Sequence, residues 1–182
     1  MRFAFEETIH HPIDRVYPVL RDRLSEMVPF LESVDSIELL SRTEEADGRL
    51  RLLNVWQGNA LQAPTVVRPF VTRDLIKWKD HAVWNDPENR VEWRFEAFHL
   101  DQLFDAQGAN IFTAASDRST CIEISGSLDV YPERVPGVPR LLARRFGPRI
   151  ESFVIGLITP NLAQLPGAVE AFLDREDEEV DP

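Results

Sequence analysis

Cysteine is almost missing: Cys121 stands alone in 182 residues, which rules out an internal disulfide and a Cys-x-x-Cys pair. Basic residues are scarce as well. Twenty Lys plus Arg against 31 Asp plus Glu leave a net charge of -11, which excludes the phosphate neutralisation that general nucleic-acid affinity needs. Long apolar runs are lacking too. The opening Met-Arg-Phe-Ala-Phe-Glu-Glu has no signal-peptide core, and the most apolar stretch is broken by Gly156 and Pro160, short of the roughly 20 residues that span a bilayer. These absences predict a reducing, cytoplasmic setting with no integral membrane segment, where any membrane contact is peripheral. Glycine-rich phosphate loops are absent, and the four histidines (His10, His11, His81, His99) show no metal spacing, so neither a cofactor nor a metal is expected. Ser125-Gly126-Ser127 lacks the flanking glycines of a nucleophile elbow.

What is present suits one globular domain: 43% of residues are hydrophobic and 28% charged. The expected domain covers residues 1–174, followed by an acidic tail, 175–182, with too little hydrophobicity to pack. Its organising stretch is 138–173. There Ile150, Phe153, Val154, Leu157 and Ile158 follow the i, i+3, i+4, i+7, i+8 spacing of one helix face, and Leu162, Leu165, Val169, Phe172 and Leu173 continue it. Pro148 predicts a second start or a bend, and Pro160 a kink.

Upstream, Phe3, Phe5 and Ile9 alternate as in a half-buried strand, and Val16, Tyr17, Leu20, Leu24, Met27 and Val28 repeat at helical spacing, interrupted near Pro29. Strands are then predicted at 36–43, 49–57, 75–85, 90–98, 104–115 and 120–131. They are joined by turns at Asp47-Gly48, Asp86-Pro87-Glu88-Asn89 and Asp117-Arg118-Ser119, with Gly108 marking a bulge or bend. Residues 58–74 lack alternation, and the apolar 64–70 segment reads as a flap. The result is an α+β chain of β-α-α-β6-α order, whose curved antiparallel seven-stranded sheet needs the last helix as its cover.

That order, with His11-Pro12 before the first helix, Asp47-Gly48 between strands and Pro136-Gly137-Val138-Pro139 before the last helix, resembles the START-like helix-grip superfamily (SRPBCC), over residues 1 to about 174. The resemblance implies a hydrophobic cavity between sheet and helix. A looser similarity to PRELI-like phospholipid carriers lies in Leu52-Leu53-Asn54-Val55-Trp56 followed by the 64–70 flap, where that family has its exchange lid.

The inward strand positions carry Asn54, Trp56, Trp78, Asp80, Trp84, Trp93 and Phe95, which with Phe153, Val154, Leu157 and Asn161 of the last helix form the expected ligand-binding set. Aromatics at strand spacing are also ordinary core, and some serve both ends. Asp80, between Trp78 and Trp84, must be paired or protonated if buried. It is therefore a ligand anchor, a catalytic acid, or one end of a salt bridge to Lys or Arg. Asn54 can donate and accept toward a head group or satisfy backbone. Arg140, Arg144, Arg145 and Arg149 form the chain's one basic cluster, facing either a lipid phosphate or the protein's own carboxylates.

The expected function is non-catalytic binding or transport of a small hydrophobic ligand or lipid. The alternative is a polyketide cyclase or aromatase-like enzyme using the same cavity with Asp80, or more remotely His99, as its acid or base. A protein-interaction module with an acidic surface is a third, more distant reading.

Overall fold

The computed structural model describes residues 1–59, 76–98, 103–131, 134 and 140–180, without the side chains of 140–146, 150, 153, 157 and 180. Strand β1 (Arg2–Ile9) leads to helix α1 (Ile13–Asp22) and a 3₁₀ turn (Leu24–Phe30). There follow β2 (Val34–Glu44), β3 (Leu50–Gly58), β4 (Lys77–Asn85), β5 (Arg90–Ala97), β6 (Phe104–Ser116), β7 (Ser119–Val130) and helix α2 (Arg140–Val180). The seven strands make one sheet in the order β1-β7-β6-β5-β4-β3-β2, and every neighbouring pair is antiparallel.

Turn chemistry sets this meander. Gly48 takes φ 83°, a left-handed conformation that costs a residue without Cβ little, and closes β2 onto β3. Asn89 does the same at φ 46° after Asp86–Glu88, where its side chain tolerates the left-handed region.

The sheet buries one face. Along β4 and β5 burial alternates residue by residue, so Trp78, Asp80, Ala82 and Trp84 point inward with Val91, Trp93, Phe95 and Ala97. Helix α2 covers that face with Val154, Ile158, Leu162, Leu165, Val169, Phe172 and Leu173, all buried, and packs against β1, β7, α1 and the 3₁₀ turn. Each such side chain contributes roughly 1.5–3 kcal/mol by leaving water. The stretch Gly147–Glu179 has the length and composition to cross a bilayer, with mean hydropathy 1.3, yet half of its most apolar window is buried within the protein. The apolar stripe thus already has a partner in the sheet.

The structure refines the reading at several points. Helix α2 does not restart at Pro148: it runs continuously through Pro148, Pro160 and Pro166, since each proline removes one donor while the flanking turns keep theirs. The second helical segment is a 3₁₀ turn with Pro29 inside it. Gly108 marks no bulge, for β5 and β6 stay in register through it, and the irregularity in β6 falls at Ala114/Ser116. The helix continues to Val180, and its acidic end, though mostly exposed, binds the start of the chain. Arg15 pairs with Asp177 at 2.8 Å, Arg23 with Glu176 at 2.7 Å, and His11 Nε2 lies 2.8 Å from Asp174. Charge complementarity between the two ends supplies what hydrophobicity did not.

Candidate functional site

The site grows from the register of three strands. Asn54 of β3 pairs across to Asp80 of β4, which pairs to Phe95 of β5, and Trp56 sits opposite Trp78 one step along. Side chains opposite one another across strands share a face, so this register assembles an aromatic wall around one carboxylate. Trp56 stacks on Trp78 with centroids 5.7 Å apart, and Trp93 on Phe95 at 4.7 Å. At the far end Trp84 stacks on Phe112, and Tyr17 of α1 meets both edge-on.

Trp93 lies along the sheet because glycines leave room for it. Its register partner Gly108, and Gly126 beyond, carry no Cβ, and the indole passes over both to stack on Phe3. Its Nε1 donates to Asn110 Oδ1 at 2.9 Å.

Asp80 is buried at 5% exposure, and its Oδ2 accepts long hydrogen bonds from Trp56 Nε1 (3.3 Å) and Asn54 Nδ2 (3.4 Å). Among the described residues its Oδ1 has no partner. Burial pushes the carboxyl up to about 6, against the opposing pull of the Trp56 and Asn54 donors. The salt bridge to Lys or Arg weighed from the sequence is not formed among the described residues. The nearby Lys79 and His81 lie on the opposite face and meet Glu96 instead, at 3.2 and 3.3 Å. The indole N–H groups of Trp78 and Trp84 are buried without an acceptor among the described residues.

A cavity of about 40 Å³ is lined by Trp56, Asp80, Trp84, Trp93, Phe95 and Asn110, with Leu20 and Leu24 on one side and Leu162 and Leu165 of α2 on the other. That volume is far below the roughly 300–1,000 Å³ of sites for drug-sized ligands. Among the described residues this cavity is smaller than the lipid-sized cleft expected from the aromatic content, and its rings stack on one another.

Of the expected set, Trp56, Asp80, Trp84, Trp93 and Phe95 line the cavity, while Asn54 and Trp78 stand directly behind Asp80 and Trp56. Val154 and Asn161 are buried but do not line this cavity. The side chains of Phe153 and Leu157, those of Arg140, Arg144 and Arg145, His99 and the 64–70 flap lie outside the described residues. Asn110, Leu20 and Leu24 were not anticipated. Asn110 occupies an inward position of β6 and was legible from alternation, whereas the two leucines come from α1 and the 3₁₀ turn.

A larger space of about 740 Å³ lies on the outer face, an open trough bordered by Arg2, Arg51, Arg94, Glu92, Glu96 and Ser125. Its charges are largely paired with neighbours, Arg90 with Glu92 and Arg94 with Asp105 among them, as on a solvated face.

In sequence, neither a family model nor a curated protein matches the chain. In structure, the Zhui aromatase/cyclase from Streptomyces sp. R1128 is similar at TM-score 0.65 and 12% identity, over 96% of this chain and 94% of that one. A START superfamily protein from Mycobacterium smegmatis is similar at TM-score 0.54 and 11% identity, over 96% and 97% of the two chains. This chain has the START-like helix-grip fold. Norcoclaurine synthase from Thalictrum flavum shares it at TM-score 0.57 and 15% identity, over 95% of this chain and 86% of that one. In the helix-grip frame the cavity sits in the space between sheet and gripped helix, with Asp80 on its floor.

Proposed function

We propose that this helix-grip chain is a cytoplasmic binder or carrier of a small hydrophobic ligand or lipid, which it holds between the sheet and α2 without transforming it. The observation that carries this reading is the Asp80 Oδ1: an unpaired oxygen inside an aromatic wall. Leaving it so costs roughly 1–3 kcal/mol, which a purely structural core would avoid by placing an apolar residue there. An apolar site with one polar group is what orients a hydrophobic ligand.

Ligand entry requires the 40 Å³ space to widen. Helix α2 borders it through Leu162 and Leu165 but takes its main support from β1, β7, α1 and the 3₁₀ turn, so it can move relative to β3–β5 while remaining attached. Titration with Nile red, an uncharged environment-sensitive dye, tests the reading. Saturable binding with quenching of tryptophan emission, lost on Leu162→Trp with the fold intact, supports it. Absence of saturable binding sinks it.

A cyclase-like enzyme is the second reading. It is favoured by the one observation that Asp80, with its carboxyl near 6, is poised to exchange a proton close to neutral pH. The names of the Zhui aromatase/cyclase and of norcoclaurine synthase lend it weight by analogy of fold. Turnover of an aromatic or polyketide substrate that disappears in Asp80→Asn would replace the carrier reading.

A further inference from the structure

Resting on the ligand-binding reading, we infer that the cavity selects an apolar molecule bearing an uncharged hydroxyl, an alcohol or phenol donating to Asp80 Oδ1, and discriminates against fatty-acid carboxylates. The hydrogen-bonding inventory leads there. Asp80 Oδ2 already accepts from Trp56 and Asn54, two donors that favour the carboxylate form, so the remaining oxygen is an acceptor in want of a donor. Trp84, inward on the same strand and part of the cavity lining, has a buried N–H in want of an acceptor. A hydroxyl is both donor and acceptor, whereas an ammonium only donates and a carboxylate only accepts.

Charge argues the same way. Asp80 is faced from β3 by Asn54 and Trp56, from β5 by Phe95 and from β6 by Asn110. The cavity's other walls are Leu20 of α1, Leu24 of the 3₁₀ turn, and Leu162 and Leu165 of α2. No Lys, Arg or His lines this space among the described residues. A ligand carboxylate entering it would meet Asp80 with no counter-charge, and two carboxylates sharing a dry site repel. An ammonium would have to give up its water for a single partner.

The experiment uses three probes on one chain length, decan-1-ol, decanoate and decylammonium. Each is titrated into the whole protein at pH 8 with tryptophan emission as the readout, against wild type, Asp80→Asn and Asp80→Leu. Wild type should bind decanol at least about tenfold tighter than decanoate, the worth of one good hydrogen bond. Asp80→Asn, whose amide oxygen still accepts, should keep decanol affinity within about threefold. Asp80→Leu should lose most of the preference. Circular dichroism checks that each variant folds, and Asp80→Asn preserves shape should Asp80→Leu fail to fold. Equal binding of decanol and decanoate, or tightest binding of decylammonium, overturns the inference and leaves ligand binding standing. If neither these probes nor Nile red binds, it is the ligand-binding reading that falls.

Discussion

The Trp93 indole occupies the space that a side chain at Gly108 would need: a Cβ built on Gly108 would lie 2.3 Å from Trp93 Cζ2 and 2.2 Å from the Ser125 carbonyl oxygen. The second contact is to backbone in the neighbouring strand and cannot be relieved by rotating a ring. Gly108→Ala should therefore cost about 2–3 kcal/mol by overpacking, measured by urea unfolding. Gly126→Ala, with closest approaches of 2.7 Å and 2.8 Å, should cost less. A neutral Gly108→Ala would mean that Trp93 is not held against β6.

Gly156 and Gly167 of α2 behave oppositely. Both are exposed and have nothing within 4 Å of a built Cβ, so alanine there adds helix propensity without a clash. Each substitution should stabilise by about 0.5–1 kcal/mol in the same assay. Destabilisation would place those positions against something.

Asp80 sets a pH dependence of unusual sign for a carboxylate. Its carboxyl is raised from 3.8 to about 6 on folding, so the folded state holds the proton more tightly than the unfolded chain does. Its effect is most favourable below about 4 and is lost as pH rises through 6, a difference on the order of 3 kcal/mol by linkage. Asp22 and Glu96 oppose this trend. Burial pushes each carboxyl up, but hydrogen bonds from Arg21 and Arg42 in one case, and Lys79 and His81 in the other, hold both below their ordinary range. The test is thus a difference: the stability of Asp80→Asn relative to wild type should grow between pH 4 and 7. A constant difference would mean that Asp80 is hydrated in solution.

Ile158 is 1% exposed where α2 meets the sheet. Ile158→Ala should cost about 3 kcal/mol, in the range for a large aliphatic truncated in a core, and Ile158→Asp should prevent folding at 37 °C. A soluble, cooperatively melting Ile158→Asp would show that α2 is not gripped by the sheet.

Truncation after Leu173 removes Asp174, Glu176 and Asp177 and leaves Arg15 and Arg23 with fewer partners. The melting temperature should fall by a few degrees in low salt, and the gap should narrow near 1 M salt, because these pairs face water. A loss unaffected by salt would point to helix packing in place of ion pairing.

The sequence by itself determined most of the element order, the inward sets of β3, β4 and β5, and the buried positions of α2 at Val154, Ile158, Leu162, Leu165, Val169, Phe172 and Leu173. Strict periods of two and 3.6 report which residues face a core whatever that core contains. Asp80 was legible for the same reason: a carboxylate at an inward position stands out against Trp78 and Trp84. Register decided the rest. Only pairing across strands brings Asn54 and Trp56 to one oxygen of Asp80 and leaves the other bare, and sends Lys79 and His81 to Glu96 on the far face. Alternation places no residue beside a particular partner on another strand. Cavity size was equally beyond the sequence. The same four tryptophans line a wide cleft or fill it according to how their rings stack, and here Trp93 could lie along the sheet because two glycines, 18 residues apart in sequence, meet beneath it. The acidic end of α2 reads as solvated when taken alone. It becomes part of the fold because the tertiary arrangement brings Arg15 and Arg23 against it.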